Sequence, residues 1–522
     1  MSQTVTSPSA SAPSAPGIQP LSGVKLVLAT IALGLGSFMN VLDISIANVS
    51  LPTIAGDFAV SPAQGTWVIT SYAVSEAIML PLTGYLSSRF GEIRQFTIAT
   101  LLFALASALC GLAISFPMLV FSRVLQGIVG ASMIPLSQAL IVKSFPREKS
   151  GMALGIWSMT TIVAPIMGPV IGGWLTDNYS WRWVFYINIP FGILCAFSVR
   201  TLFKGRENIT VKNPIDRVGL FLLAVGVGSL QILLDKGNEL DWFSSGTILA
   251  LGITSFICIV SFVIWELGEE HPVVNLRLFK LLNFRIACFC LFCGSFAFYI
   301  FVVIGPLWMQ TQFGYTAFTA GLVMASTGLL AIVAGPFFGS QLAKLGARRV
   351  ATFGFSCFAI GAYWSSTITT DVDFHYLQLT RIIMGFGIAG FFVPLTAISF
   401  SQLKPMQMAA GSGLTNFLRN LGGSIGTALG TTIWQNDAIR NHAVLTESLT
   451  TDNIPLNSLR EQLTQAGISA QAQLQYLDLL VNSQAYILST NHLLTMAGLI
   501  MFSLIPIIWL AKPPFGAGGG GH

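Results

Sequence analysis

The chain has 522 residues, 53% hydrophobic and only 9% charged, with a mean hydropathy of +0.73 and a formal charge of +5. A chain this apolar is not a soluble globule, and its length counts membrane spans rather than soluble domains. Its basic residues form no stripe interleaved with aromatics, no GxxxxGK[ST] loop is present, and no nucleophile–base pair or metal-ligand spacing appears; these argue against nucleic-acid binding, an ATP-driven cycle and enzymatic catalysis.

Residues 1–24 are a Ser/Pro/Ala-rich tail with no basic cluster and no cleavage signal after the first apolar run, so they read as a disordered cytosolic tail rather than a leader. Runs long enough to span a bilayer follow near 25–47, 63–86, 96–115, 118–143, 151–175 and 184–203. A linker and two further runs occupy 204–265, near 216–234 and 246–265. The last group lies near 285–309, 319–342, 350–368, 376–400, 407–434 and 491–511. The reading is an all-α polytopic protein of about 14 spans. An N-terminal half (25–203) and a C-terminal half (266–511) have six helices each, two inserted helices lie between them, and 512–522 form a flexible tail. With the N-terminus inside, Arg89, Arg94, Lys143, Arg147, Lys212, Arg217, Lys344, Arg348 and Lys404 are among many basic residues in inner loops. Outer loops receive only Arg182, Lys236, Arg440 and Arg460. This bias places both termini in the cytosol. The long outer loop 435–490 has leucines at helical intervals (Leu459, Leu463, Leu474, Leu477), which predicts one or two amphipathic helices, either a solvated cap or a docking surface. The seven cysteines sit in or beside apolar runs. Cys290 and Cys293 read as small buried residues rather than a metal or redox pair, and the five histidines make no ligand cluster.

Two pairs of segments echo each other. GYLSSRFGEIR (84–94) matches GSQLAKLGARR (339–349), each after a proline-containing run, and RVLQGIVGASMIPLS (123–137) matches RIIMGFGIAGFFVPLT (381–396). Both copies begin inside, so this is a parallel repeat about an axis along the membrane normal, as in one large class of secondary transporters.

Five ionisable residues interrupt the apolar runs: Asp43, Glu76, Arg123, Arg381 and Arg419. Each costs about 2.5–3.5 kcal/mol at a bilayer centre on insertion scales, so each is retained for function or for a structural ion pair. Asp43 has Ser37 and Asn40 about one helical turn before it; an isolated membrane carboxylate binds a proton or a cationic substrate in competition, one simple means of coupling the two. Glu76 reads as a second proton site, a contact for substrate charge, or a neutral acid bonded to the backbone. Arg123 heads RxxQG, where Gly127 permits close helix approach, and can pair with Asp43 or with carbonyls. Arg381 is its counterpart, and Arg419 stands among glycines in NFLRNLGGSIGT. The segment GMALGIWSMTTIVAPIMGPVIGGWL gathers Gly155, Pro165, Gly168, Pro169, Gly172 and Gly173 on one helix, a small-faced, bent element suited to a rocking interface between halves. Trp157, Met159, Phe318, Phe391 and Phe392 are the expected lining of an adaptable pocket near the midplane.

These residues resemble the major facilitator superfamily over nearly the whole chain beyond the first two dozen residues. LDISIANVSLP resembles the first-helix motif of its fourteen-helix drug:proton antiporter family, RxxQG its fourth-helix motif, and APIMGPVIGGWL its fifth-helix antiporter motif, the sharpest marker of export. WRWVFYINIPFG, LDKGNELDW and the KPPFGAGGGG tail are similar to the EmrB-type (FarB-like) exporters within that family. Gly84, Arg89 and Gly91 match the inner-loop motif; Ser88 and Glu92-Ile93 depart from it, as they do in that subgroup. The resemblance implies proton-coupled efflux of hydrophobic or amphipathic toxic compounds across a bacterial inner membrane. Asp43, Glu76 and Arg123 would be its proton-coupling residues, and Asn40, Arg381, Arg419, Trp157, Phe391 and Phe392 would serve substrate or gating. It implies no cofactor beyond the proton gradient, and as partners a periplasmic adaptor (EmrA-like) and an outer-membrane channel (TolC-like). The alternatives are transport of a single substrate, such as a fatty acid or siderophore, and a scaffold that does not transport.

Overall fold

A computed structural model describes residues 20–146, 149–206, 210–211, 214–369, 372–449 and 454–515. Most of the predicted N-terminal tail, the inner-loop residues Arg147 and Lys212, and the end of the C-terminal tail lie outside the described residues. Lipid offers no hydrogen bonds to a backbone, so apolar runs of this length satisfy their amides internally and become helices; the described residues contain no strand.

The first half comprises α1 (Gly23–Asp57), α2 (Pro62–Gly65), α3 (Trp67–Met79), α4 (Thr83–Phe90), α5 (Glu92–Gly111), α6 (Phe116–Gly130), α7 (Met133–Ser144), α8 (Ser150–Asn178), α9 (Trp183–Tyr186) and α10 (Asn188–Leu202). The inserted pair is α11 (Arg217–Lys236) and α12 (Gly246–Gly268). The second half comprises α13 (Leu282–Gln312), α14 (Ala317–Leu345), α15 (Ala347–Ser365), α16 (Phe374–Phe400), α17 (Met408–Ser448), α18 (Ile454–Gln465) and α19 (Ala470–Ile508). Among the described residues, 11 helices are long and apolar enough to cross a membrane. The other three predicted spans are helical but shorter or more polar: α3 with α4, α15, and α17. The break between α3 and α4 falls at Pro81, and that between α6 and α7 lies four residues before Pro135, where a missing amide and a ring clash interrupt the ladder.

The repeat read from the sequence is present in the backbone. Gly91 joins α4 to α5 at φ 88°, and Gly346 joins α14 to α15 at φ 82°, the same left-handed corner in each half that an L side chain rarely adopts. Each half has its own core, around Leu33, Phe96, Phe103 and Leu136 in the first and around Phe301, Phe355, Phe358 and Met384 in the second. The inserted pair packs α11 on α12 and lays α11 against α3 and α17.

The halves meet along α8 and α14 and, at the inner end, where α17 meets α4 and α7. A Cβ on Gly155 would strike the Gly335 carbonyl, and one on Gly151 would come within 2.5 Å of the Gly339 carbonyl. Gly84 is in similar backbone contact with Ala410. Gln138 Oε1 accepts from Ser412 Oγ (2.5 Å) and Asn416 Nδ2 (3.0 Å) across the same seam. The predicted outer loop 435–490 is helical: α17 runs on to Ser448, α18 follows, and α19 begins at Ala470. Its base is tied by Trp434 Nε1 donating to Thr490 Oγ1 (2.8 Å) and Ser489 Oγ donating to the Trp434 carbonyl (2.6 Å).

Candidate functional site

The kink between α6 and α7 and the packing of α1 on α8 and α10 bring the first half's charges to one point. Arg123 Nη1 donates to Asp43 Oδ2 at 2.5 Å, with both side chains fully buried. Asp43 Oδ1 also accepts from Gln126 Nε2 (2.9 Å) and Asn188 Nδ2 (2.7 Å). Arg123 Nε donates to the Val68 carbonyl (2.9 Å), Nη1 also reaches Gln126 Oε1 (2.8 Å), and the guanidinium lies 4.4 Å from the Tyr72 ring. Asn188 is held in turn by Ser107 (3.0 Å). A charge this deep persists because it is paired and its remaining lone pairs are filled. Asp43 is therefore not the isolated carboxylate of the sequence reading; its oxygens are committed to three side chains. The signal for Gln126 lay in RxxQG itself, whereas Asn188 of YINIP and Tyr72 were missed.

Glu76 lies differently. It lines a cavity of about 640 Å³ between the halves, and its Oε1 is buried without a hydrogen-bond partner. Arg419 lines the same cavity from α17, and no acid lies within 4 Å of it among the described residues. Arg419 and Arg123 are the cations whose fields reach Glu76. The remaining wall is mostly apolar and aromatic, with Trp157, Phe298, Tyr299 and Phe392 present; Phe298 and Phe392 pack edge to face at 5.8 Å. The lining runs from Gln138 and Asn416 to Asn48 and Gln310 toward the outer ends of α1 and α13, while the inner end is shut by the contacts of α17 described above.

Several predicted residues stand elsewhere. Asn40 is turned into the first half, where it donates to Tyr72 Oη (3.0 Å) and the Gly130 carbonyl (3.1 Å). Arg381 is buried within the second half, donating to Ser365 Oγ (3.0 Å) and lying 4.6 Å from the Phe301 ring. Phe391 is in the core, stacked on Phe355 at 5.6 Å, because neighbours on a helix point about 100° apart and Phe392 takes the cavity face. Trp157 faces the cavity and also donates to Ser37 (3.2 Å) and Ser137 (3.0 Å). Phe318's side chain lies outside the described residues.

The antiporter segment divides its work. Gly168 and Gly172 admit α1, meeting Ser45 and Ile46 inside one half, and Ser45 Oγ donates to the Pro165 carbonyl (3.1 Å). A Cβ on Gly173 would meet nothing, and the side chain of Pro169 lies outside the described residues. The seam between halves is made instead by Gly151 and Gly155, within the first two turns of α8. In the inner-loop motif, Arg89 Nη1 donates to Tyr85 Oη (3.1 Å), and Glu92, a departure from the family pattern, receives Lys143 Nζ at 2.6 Å in a buried pair. No group of three His, Cys, Asp or Glu that could hold a metal occurs among the described residues.

Two pseudo-symmetric helix bundles around a central cavity that holds opposite charges define a polytopic membrane carrier rather than an enzyme. Residues 33–279 and 287–436 match the Major Facilitator Superfamily model, and the chain belongs to that family. It is 45% identical over 504 residues to the multidrug export protein EmrB of Escherichia coli (strain K12), covering 96% of this chain and 98% of that one. It is 42% identical over 503 residues to the fatty acid resistance protein FarB of Neisseria gonorrhoeae, covering 96% and 99%. The human organic anion transporter MFSD10 (TETRAN) shares the fold, with a TM-score of 0.61 at 13% identity over 92% of this chain and 100% of that one. The chain is a multi-pass inner-membrane transporter.

Proposed function

We propose that this carrier is an efflux transporter that expels hydrophobic and amphipathic toxic compounds across the bacterial inner membrane in exchange for protons, with no cofactor. The observation that carries the reading is the central cavity: an apolar wall bearing aromatic rings, lined by one acid, Glu76, whose Oε1 has no hydrogen-bond partner, and by one arginine, Arg419. Aromatic surface accepts many apolar shapes, and the two charges accept either sign of headgroup. Glu76 takes up a proton or a substrate cation, one excluding the other. The buried Asp43–Arg123 pair stands behind it, around Tyr72, and serves as the element whose neutralisation changes helix packing in the first half. The names of the relatives, multidrug export for EmrB and fatty acid resistance for FarB, support export of such compounds. Arg419 favours a second reading, dedicated transport of an amphipathic carboxylate; a resistance profile across unrelated compounds separates the two. We further propose that the helical extension beyond residue 434 meets a periplasmic adaptor of EmrA type, which leads to an outer-membrane channel of TolC type.

The test is transport in proteoliposomes with an imposed pH gradient. E76Q loses proton-driven transport by about 10²–10⁴, the contribution of a positioned acid–base group, and D43N loses it with E76Q. Undiminished uphill transport by E76Q refutes the assignment.

A further inference from the structure

The inserted pair has no counterpart in the repeat, and the function above leaves it without a task. At its outer end α11 is fastened to both halves. Toward the first half, Lys236 Nζ donates to Thr66 Oγ1 at 2.6 Å and lies 5.6 Å from the Trp67 ring, while Gly228 faces Ile78 and Val74 of α3. Toward the second, Asn238 Nδ2 donates to Gln435 Oε1 and Trp242 Nε1 donates to Thr432 Oγ1, each at 3.0 Å. Between these ties Gln231 lines the central cavity. Its Nε2 donates to Asp235 Oδ1 and to Ser424 Oγ, each at 3.2 Å.

Asp235, one turn further out, lines a second and more polar cavity of about 290 Å³ with Glu239, Ser424 and Thr427. Ser424 and Thr427 line both cavities, so the two share a wall. The charges about Asp235 are few. Lys236 is engaged by Glu239 (2.7 Å) and Thr66, α3 presents Thr70, and α17 presents Ser424, Thr427, Thr431 and Gln435 to this cavity. Further in, Glu76 is hydrogen-bonded by Tyr72 of its own helix, faces Arg419 from α17 and Tyr299 from α13, and feels Arg123 and Asp43 from its own half, while its Oε1 has no partner. An accessible acid, a bridging amide and a buried acid with one oxygen left without a partner thus follow one another from the outer surface inward.

We propose that α11 carries the outer proton entrance of this transporter. Asp235 takes a proton from hydronium in the outer medium, forming a carboxyl O–H and leaving water. That proton passes across the shared wall to the Glu76 carboxylate, and Asp235 is left ionised for the next. Gln231 is a positioning residue that holds the Asp235 carboxylate toward the cavity. The inference rests on the reading of Glu76 as the coupling acid and adds the route by which that acid is reached.

The experiment compares two rates in proteoliposomes: transport driven by an acid outer compartment, and substrate exchange at equal pH on both sides, which moves no net proton. For D235N the ratio of driven transport to exchange falls on the order of tenfold at neutral outer pH, less than for an acid acting directly, and recovers as the outer side is acidified. D235E restores the ratio, and Q231A lowers it in the same direction. If D235N keeps the wild-type ratio and outer-pH dependence while E76Q is uncoupled, the entrance is overturned and the reading of Glu76 stands. If D235N lowers both rates alike, α11 is a brace and the entrance is again overturned. Coupling retained by E76Q sinks the underlying reading and the entrance with it.

Discussion

Arg123 and Arg381 stand at matching places in the two halves, each fully buried and each lying over an aromatic ring, Tyr72 at 4.4 Å and Phe301 at 4.6 Å. Each reaches the residue three positions on, Gln126 at 2.8 Å and Met384 Sδ at 3.9 Å. Around Arg123 the first half adds an aspartate and a second amide; around Arg381, among the described residues, the second half offers a serine hydroxyl, a thioether and a ring. The same scaffold therefore carries a buried ion pair in one half and an arginine held by neutral groups in the other. Under the proposed function, only the first half changes charge, and the second serves as the body against which it moves.

The comparison breaks if the two arginines behave alike. D43A strands a buried guanidinium and costs about 3–5 kcal/mol, seen as a lower unfolding temperature in detergent. R381M removes a charge that has no acid within 4 Å among the described residues, and holds or raises that temperature. Equal losses in the two variants would end the distinction. Next in size, R419M removes a charged hydrogen-bond donor from the cavity and weakens binding of carboxylate-bearing compounds by about 1.5–3 kcal/mol. Compounds bearing a cation bind R419M as before, and equilibrium binding of matched acid and amine probes checks both. G155A overpacks the α8–α14 seam by about 1–3 kcal/mol and slows exchange, whereas G168A collides with Ser45 within one half and lowers thermal stability. The smallest effect is that of Q138A, which removes two bonds across the inner seam, worth about 1 kcal/mol each. It shifts the population toward the opening of that end, read as faster labelling of a cysteine placed beside Ser412.

Much of this organisation was legible in the sequence. The span positions and the parallel repeat ending in Gly91 and Gly346 follow from hydropathy and motif spacing, while Arg123 had either Asp43 or backbone carbonyls open to it and takes both. The division of labour between the two carboxylates did not follow, because facing depends on helix rotation. Asp43 and Glu76 both read as isolated acids in apolar runs, yet one is enclosed by Gln126 and Asn188 and the other opens to the cavity. Asn188 lies 145 positions from Asp43, and no periodicity links them. Phe391 and Phe392 were indistinguishable by composition, and only their angular separation sorts core from cavity. The glycines of α8 were read as one interface because sequence cannot say which neighbour each admits.

The continuation of α17 beyond its predicted end has a mechanical consequence. From residue 434 to Ser448 the rod extends by about 20 Å at 1.5 Å per residue, and its foot is stitched to α19 through Trp434, Ser489 and Thr490. It is a pointer rigidly mounted on the second bundle. A tilt of about ten degrees swings its tip by roughly 3–4 Å over that length, so any rocking of the second bundle is displayed as a displacement at the outer end of the rod.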